Sequence, residues 1–256
     1  MAGSKMTFYA VKLILRLRRN PISVMIDYTS SYRMEFHSSE EDQYNMIKVK
    51  EIYDILLAHY GKPPWWSKNP FEVMVGAVLV QNTAWSNVQK VVADFGDNLT
   101  PDFVANVTPG ELEDLIRPCG FYLGKAACLK RVTKWYQGYG GCQQRVMAGT
   151  LEQIREELLA IKGIGKETAD VICLYAFYFP TFVIDAYTKR LAERLELPVT
   201  LQYEAMKQFF ETSLETDTDL FGSYHWLILT HAIRHCKKKP QCGGCPLAAE
   251  CHYQQN

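Results

Sequence analysis

Residues 158–169 read LLAIKGIGKETA, and the two glycines at Gly163 and Gly165 decide how the rest of the chain is read. Ile154, Leu158 and Ile161 share one helical face, and Lys166 to Thr168 open another helical stretch, so the segment predicts helix, tight turn, helix. Glycines at this spacing let the backbone turn sharply. They can bring bare N–H groups at a helix N-terminus toward an anion, a geometry that favours phosphate. The same residues also suit a plain connection with glycine as C-cap. Lys162 and Lys166 flank the turn, either as solvated lysines or as local positive charge for a nucleic-acid backbone.

Twenty residues beyond Gly165, the segment PTFVIDAYTKR (180–190) ends an apolar run, Phe182 to Ile184, on Asp185. Taken alone, Asp185 is a helix N-cap. Upstream, Ile47 to His59 form a helical face stopped by Gly61, Pro63 and Pro64. Phe71 to Phe95 predict two helices joined at polar Gln81, Asn82 and Thr83. Thr108 and Glu111 make a capping box around Pro109, and Thr150 with Gln153 repeats the pattern. Strand alternation of comparable quality is absent, which predicts a mostly α chain. Residues 1–47 show no sustained period and read as an extension outside the core, with Met25, Met34 or Met46 as alternative native starts.

The composition is that of a folded soluble protein. Of 256 residues, 48% are hydrophobic and 22% charged, which excludes collagenous and wholly disordered classes. Lys plus Arg and Asp plus Glu are both 28, so any attraction to nucleic acid must be local. Apolar runs fall short of the ~20 residues a bilayer span needs, and no export signal is evident, so an intracellular location, cytoplasmic or nucleoid-associated if bacterial, is expected. Cys119, Cys128, Cys142 and Cys173 are scattered singly and read as core or surface thiols. Cys236, Cys242, Cys245 and Cys251 crowd together in a Cys-x5-Cys-x2-Cys-x5-Cys spacing. Four thiolates in so short a loop can enclose a 4Fe-4S cube or hold a zinc ion. Lys237, Lys238 and Lys239 form a basic loop inside the first interval.

Helix, Gly-Ile-Gly hairpin, helix and then aspartate resemble the helix-hairpin-helix-GPD superfamily of DNA base-excision glycosylases, which includes endonuclease III. Two further segments agree in order: NPFEVMVGAVLVQNTAWSNVQKV (69–91) and SYHWLILTHAIRHC (223–236). The likeness runs from about Tyr53 to Cys251. It implies an all-α, two-domain fold with a DNA-binding cleft. A helical-barrel domain would span 71–179, and an iron-sulfur domain would combine 48–70 with 180–256. It further implies that Asp185 is catalytic, that Gly163 and Gly165 bind phosphate through backbone amides, and that Gln81 lies where the strand is invaded. The four C-terminal cysteines would carry a structural 4Fe-4S cluster, with a first interval one residue shorter than is usual in the family. The expected partner is double-stranded DNA containing damaged bases, bound by a monomer with no membrane association.

Bifunctional members carry a lysine two residues after the second hairpin glycine, where this chain has Glu167. A carboxylate cannot form the imine that strand cleavage needs. Lys166 is adjacent, but one residue along a helix rotates a side chain by about 100°. The departure predicts a monofunctional hydrolase. GKPPWW (61–66), IRPCGFYLGKA (116–126) and KGIGKETAD (162–170) look especially like the 3-methyladenine glycosylase branch, whose aromatic pocket accepts alkylated purines. Trp65, Trp66 and Trp85 are the pocket candidates here, with core packing as their other reading. The competing functions are a glycosylase/lyase for oxidised pyrimidines using Lys166, and a non-catalytic iron-sulfur DNA-binding protein.

Overall fold

The structure is a computed structural model that describes residues 13–17, 20–24 and 40–255. Residues 1–45 and 46–256 form two compact units. In the first, strands β1 (Leu13–Leu17) and β2 (Asn20–Val24) pair antiparallel, with Leu13 opposite Val24 and Leu17 opposite Asn20. This corrects the expectation of no strand in the extension. Leu13, Ile14 and Leu15 are consecutive apolar residues, so the period-2 pattern that announces a half-buried strand is missing even though the ladder forms. The alternative starts at Met25 and Met34 lie outside the described residues.

Helix α1 (Glu40–Tyr60) begins before the expected boundary. Eleven more helices follow: α2 (Pro70–Leu79), α3 (Trp85–Phe95), α4 (Pro101–Asn106), α5 (Pro109–Ile116), α6 (Tyr122–Gly138), α7 (Gln143–Met147), α8 (Leu151–Leu159), α9 (Lys166–Val171), α10 (Ala186–Arg194), α11 (Tyr203–Thr212) and α12 (Thr218–Arg234). Among the described residues, no helix is long and apolar enough to cross a membrane.

Helix α2 is the centre of the second unit. Asn69 caps it by accepting from the Phe71 and Glu72 amides, Pro70 opens it, and Phe71 and Val73 through Leu79 are buried. A helix apolar on all sides must be surrounded, and α6, α9 and the turn after α9 pack around it. The Thr108–Glu111 capping box forms in both directions. At Thr150 half of the box forms: Thr150 accepts from the Gln153 amide, while the Gln153 side chain turns to Glu157.

After α9 the chain winds into a π-helical turn, Ile172–Ala176, and then runs extended through Phe182, Val183 and Ile184, all buried, to Asp185. Phe182 stacks on Phe210 at 4.5 Å between ring centres and meets Phe221 and Tyr224 edge-on. Asp170, fully buried, ties this region together. Its oxygens accept from Arg155 Nε (2.7 Å) and Nη2 (3.1 Å), Tyr203 Oη (2.7 Å) and Thr181 Oγ1 (3.3 Å). Every acceptor direction of this carboxylate is spent on holding α8, α9 and α11 together, as a buried charge requires.

Candidate active site and cysteine cluster

Asp185 differs from Asp170 in what it leaves free. It is the N-cap of α10, and both Thr188 donors, the amide at 2.7 Å and Oγ1 at 2.8 Å, fall on Oδ1. Among the described residues, Oδ2 has no hydrogen-bond partner, and His225 Nε2 faces it at 3.7 Å. The residue is 8% exposed. Burial by itself would push its carboxyl up, but His225 and the two Thr188 donors outweigh burial and leave it below the usual carboxylate range. The result is an anion held rigidly on one oxygen and available on the other.

The hairpin lies on the same side. Gly165 is the N-cap of α9, so Glu167 falls in the first turn, where its carboxyl lies in the field of Asp185, His225 and Lys189. Burial and the Asp185 charge raise the Glu167 carboxyl, and His225 and Lys189 oppose them. Glu167 remains open to solvent, which tempers these influences. Lys166 points elsewhere, as the helical rotation predicts, pairing with Glu204 at 3.0 Å and lying over the Tyr203 ring.

The two hairpin glycines differ in what the structure asks of them. Gly163 has φ +103°, and a Cβ there would stand 3.0 Å from Cys128 Sγ, so the turn itself demands glycine. A Cβ on Gly165 would meet nothing within 4 Å, which leaves open space in front of the α9 N-terminus. Among the described residues, the Gly163 and Gly165 amides meet no backbone acceptor. Arg131 grips the Lys162 carbonyl with Nε (2.9 Å) and Nη2 (2.6 Å), which fixes the turn, and Lys162 itself is exposed. Gln81 Nε2 donates to the Gly163 carbonyl (3.1 Å) and to Thr168 Oγ1 (3.0 Å). The polar turn between α2 and α3 is thereby pinned to the hairpin.

The three tryptophans are half-buried and form one aromatic cluster with Tyr175. The Trp65 ring lies 5.1 Å from Tyr175 and stacks on Tyr178 at 5.4 Å, and Trp66 packs edge-on against Trp85 at 4.9 Å and Tyr175 at 5.9 Å. Trp65 Nε1 donates to the Tyr175 carbonyl, in the π-helical turn. Sequence reasoning missed two residues nearby. Lys125 is buried and donates to the Leu79 and Cys119 carbonyls, both at 2.8 Å, which joins the start of α6 to the end of α2 just ahead of Gln81. Burial pushes its ammonium down. Phe121, four residues earlier, is 74% exposed and left-handed at φ 47°. A bulky residue held in that conformation and out in water is strained. Its one signal in the sequence was an aromatic directly after Gly120.

Cys236, Cys242, Cys245 and Cys251 line one pocket, together with His231 and Arg194. Arg194 Nη1 lies 3.1 Å from Cys236 Sγ and donates to the Lys237 carbonyl, and Cys245 Sγ lies 3.8 Å from His231 Nε2. Among the described residues, no three His, Cys, Asp or Glu side chains converge on a point that would hold a single ion. Four thiols sharing one set of walls, with a buried guanidinium against them, suit a larger anionic group. Cys119, Cys128 and Cys173 are buried, and Cys142 is half-buried.

Residues 75–216 match the HhH-GPD superfamily of base-excision DNA repair proteins, and the chain belongs to that family. The Methanocaldococcus jannaschii protein named "Putative DNA repair glycosylase MJ1434" is 42% identical over 220 residues, covering 83% of this chain and 98% of its own length. A solved endonuclease III–DNA complex superposes with TM-score 0.68 at 23% identity over 82% of this chain and 96% of that one, a likeness of fold. The Helicobacter pylori 3-methyladenine DNA glycosylase bound to 1,N6-ethenoadenine superposes with TM-score 0.62 at 25% identity, over 77% and 98% of the two chains. The protein is a base-excision DNA repair glycosylase with the all-helical fold of the endonuclease III group.

Proposed function

We propose that this glycosylase is monofunctional and hydrolyses the N-glycosidic bond of a flipped-out, alkylated purine in duplex DNA. The observation that carries the reading is the pairing of Asp185, anionic with Oδ2 free, with a carboxylate at Glu167 on the facing turn of α9. Neither group can form an imine, and the neighbouring amine, Lys166, is committed to Glu204. In this reading the open amides around Gly163 and Gly165 grip a backbone phosphate, aided by Lys162 and, beside its ion pair, Lys166. Phe121, one turn ahead of the Lys125 that reaches the end of α2, enters the base stack as a wedge. The extruded base rests against Trp65, with Trp66 and Trp85 behind, where aromatic faces attract a cationic alkylpurine. Asp185 then stabilises the oxocarbenium-like sugar and orients the water that replaces the base. The division into a barrel of residues 71–179 and a second domain of 48–70 with 180–256 belongs to the same proposal, as does a monomer working on double-stranded DNA.

The four C-terminal cysteines would hold the 4Fe-4S cluster. The group supplies a rigid cross-link and no step of the reaction, and Arg194 balances thiolate charge beside Cys236. The purified protein should absorb near ~400 nm, and Cys245→Ala should lose that band together with stability. Stoichiometric zinc with no visible band would overturn the assignment.

The function itself is tested with duplexes carrying one 7-methylguanine, 3-methyladenine or oxidised pyrimidine. Free alkylated base should appear, with the strand intact until alkali is added. Removal of oxidised pyrimidine with simultaneous nicking, and no release of alkylpurine, would contradict it.

A further inference from the structure

Behind Asp185 lies a chain of polar groups whose protons can be counted. Tyr175 Oη lies 2.9 Å from the Gly222 carbonyl and 2.9 Å from His225 Nδ1. A phenol has one proton, and a carbonyl can only accept, so that proton goes to Gly222. Nδ1 of His225 must then donate to the phenolic oxygen. Burial and the Asp185 charge keep the Tyr175 phenol protonated, as this count requires. With one imidazole proton fixed on Nδ1, a neutral His225 would aim a bare Nε2 lone pair at Asp185 Oδ2, 3.7 Å away. Among the described residues, Nε2 is fully buried and has no hydrogen-bond partner. A buried polar atom left without a partner is costly, so its place beside Asp185 calls for a reason.

We propose that His225, held by Tyr175, is a positioning residue for Asp185: its Nε2 stands 3.7 Å from Oδ2 and sets the tilt of the carboxylate that Thr188 holds by Oδ1, which leaves Oδ2 aimed at the sugar. The proposal rests on the reading of Asp185 as the group that acts on the sugar. Among the described residues, Asp185 at the start of α10 and Tyr175 in the π-helical turn hold the His225 ring by its two nitrogens. The π-helical turn has a purpose in this arrangement, since it places Tyr175 where its ring supports Trp65 and its hydroxyl reaches His225.

Single-turnover base release tests this, with affinity for a tetrahydrofuran abasic duplex as a control for folding and binding. His225→Leu should be slowed about ten- to a hundredfold, with affinity unchanged within about twofold. His225→Gln, which keeps a polar group near Nε2, should recover the wild-type rate to within about threefold. Tyr175→Phe, which takes away the partner of Nδ1, should be slowed about three- to tenfold. The proposal is overturned if His225→Leu matches wild type in rate, or if His225→Gln is slowed as much as His225→Leu. Asp185→Asn, assayed alongside, separates the two levels: if it remains active, the reading of Asp185 itself has failed, whatever the His225 variants do.

Discussion

Asp185→Asn is expected to slow base release by about 10²–10⁴-fold while leaving affinity for damaged duplex nearly unchanged. The substitution removes charge and little else. Asparagine is as good an N-cap as aspartate, and its carbonyl can still accept from the Thr188 amide and hydroxyl, so α10 keeps its start. What disappears is the anion whose free oxygen faces the reacting sugar. A single-turnover assay, with DNA binding measured in parallel, separates the loss of chemistry from a loss of docking. An Asn variant retaining more than about a tenth of the wild-type rate would remove Asp185 from the reaction, since a positioned acid or base contributes more than that.

Glu167→Lys is the complementary experiment, because it should add an activity. Position 167 shares the first turn of α9 with the hairpin N-terminus and lies in the field of Asp185, where an amine would be beside both an anion and the extruded sugar. Borohydride should trap the variant covalently on abasic DNA at least about tenfold above wild type, with nicking of the strand. Wild type should give neither result, since Lys166 is turned toward Glu204 and Tyr203. A folded, DNA-binding Glu167→Lys protein that forms no adduct would show that the α9 side chain does not reach the sugar. Equal trapping by wild type would restore Lys166 as the nucleophile.

The parts of the site that were legible in the sequence are local. Two glycines around Ile164, a capping aspartate after an apolar run and cysteines within sixteen residues are signals that short segments carry unaided. Both Asp185 as N-cap and the outward rotation of Lys166 follow from helix geometry alone. The supporting contacts span long distances in the chain. Tyr175 and His225 are 50 residues apart, Gln81 and Gly163 82 apart, and Tyr224 and Val49 175 apart. Side chains of these types pack in cores as readily as they support active sites, so the sequence does not show that Asp170 is saturated by four donors while Asp185 keeps an oxygen free. The π-helical turn and the left-handed Phe121 were invisible for a related reason: tertiary packing imposes both against the local preference of their residues. The β1–β2 pairing escaped because its apolar residues are consecutive in place of alternating.

The claim beneath all of this is that a fixed negative charge awaits a positive one developing on the sugar. Comparing affinities for two unreactive duplexes measures that directly, one with a neutral tetrahydrofuran at the lesion position and one with a pyrrolidine whose ring nitrogen is cationic. Transition-state mimicry should make the pyrrolidine duplex bind at least about tenfold tighter, and Asp185→Asn should erase the difference. Equal binding of the two by wild type, or a preference that survives in the Asn variant, would contradict the account.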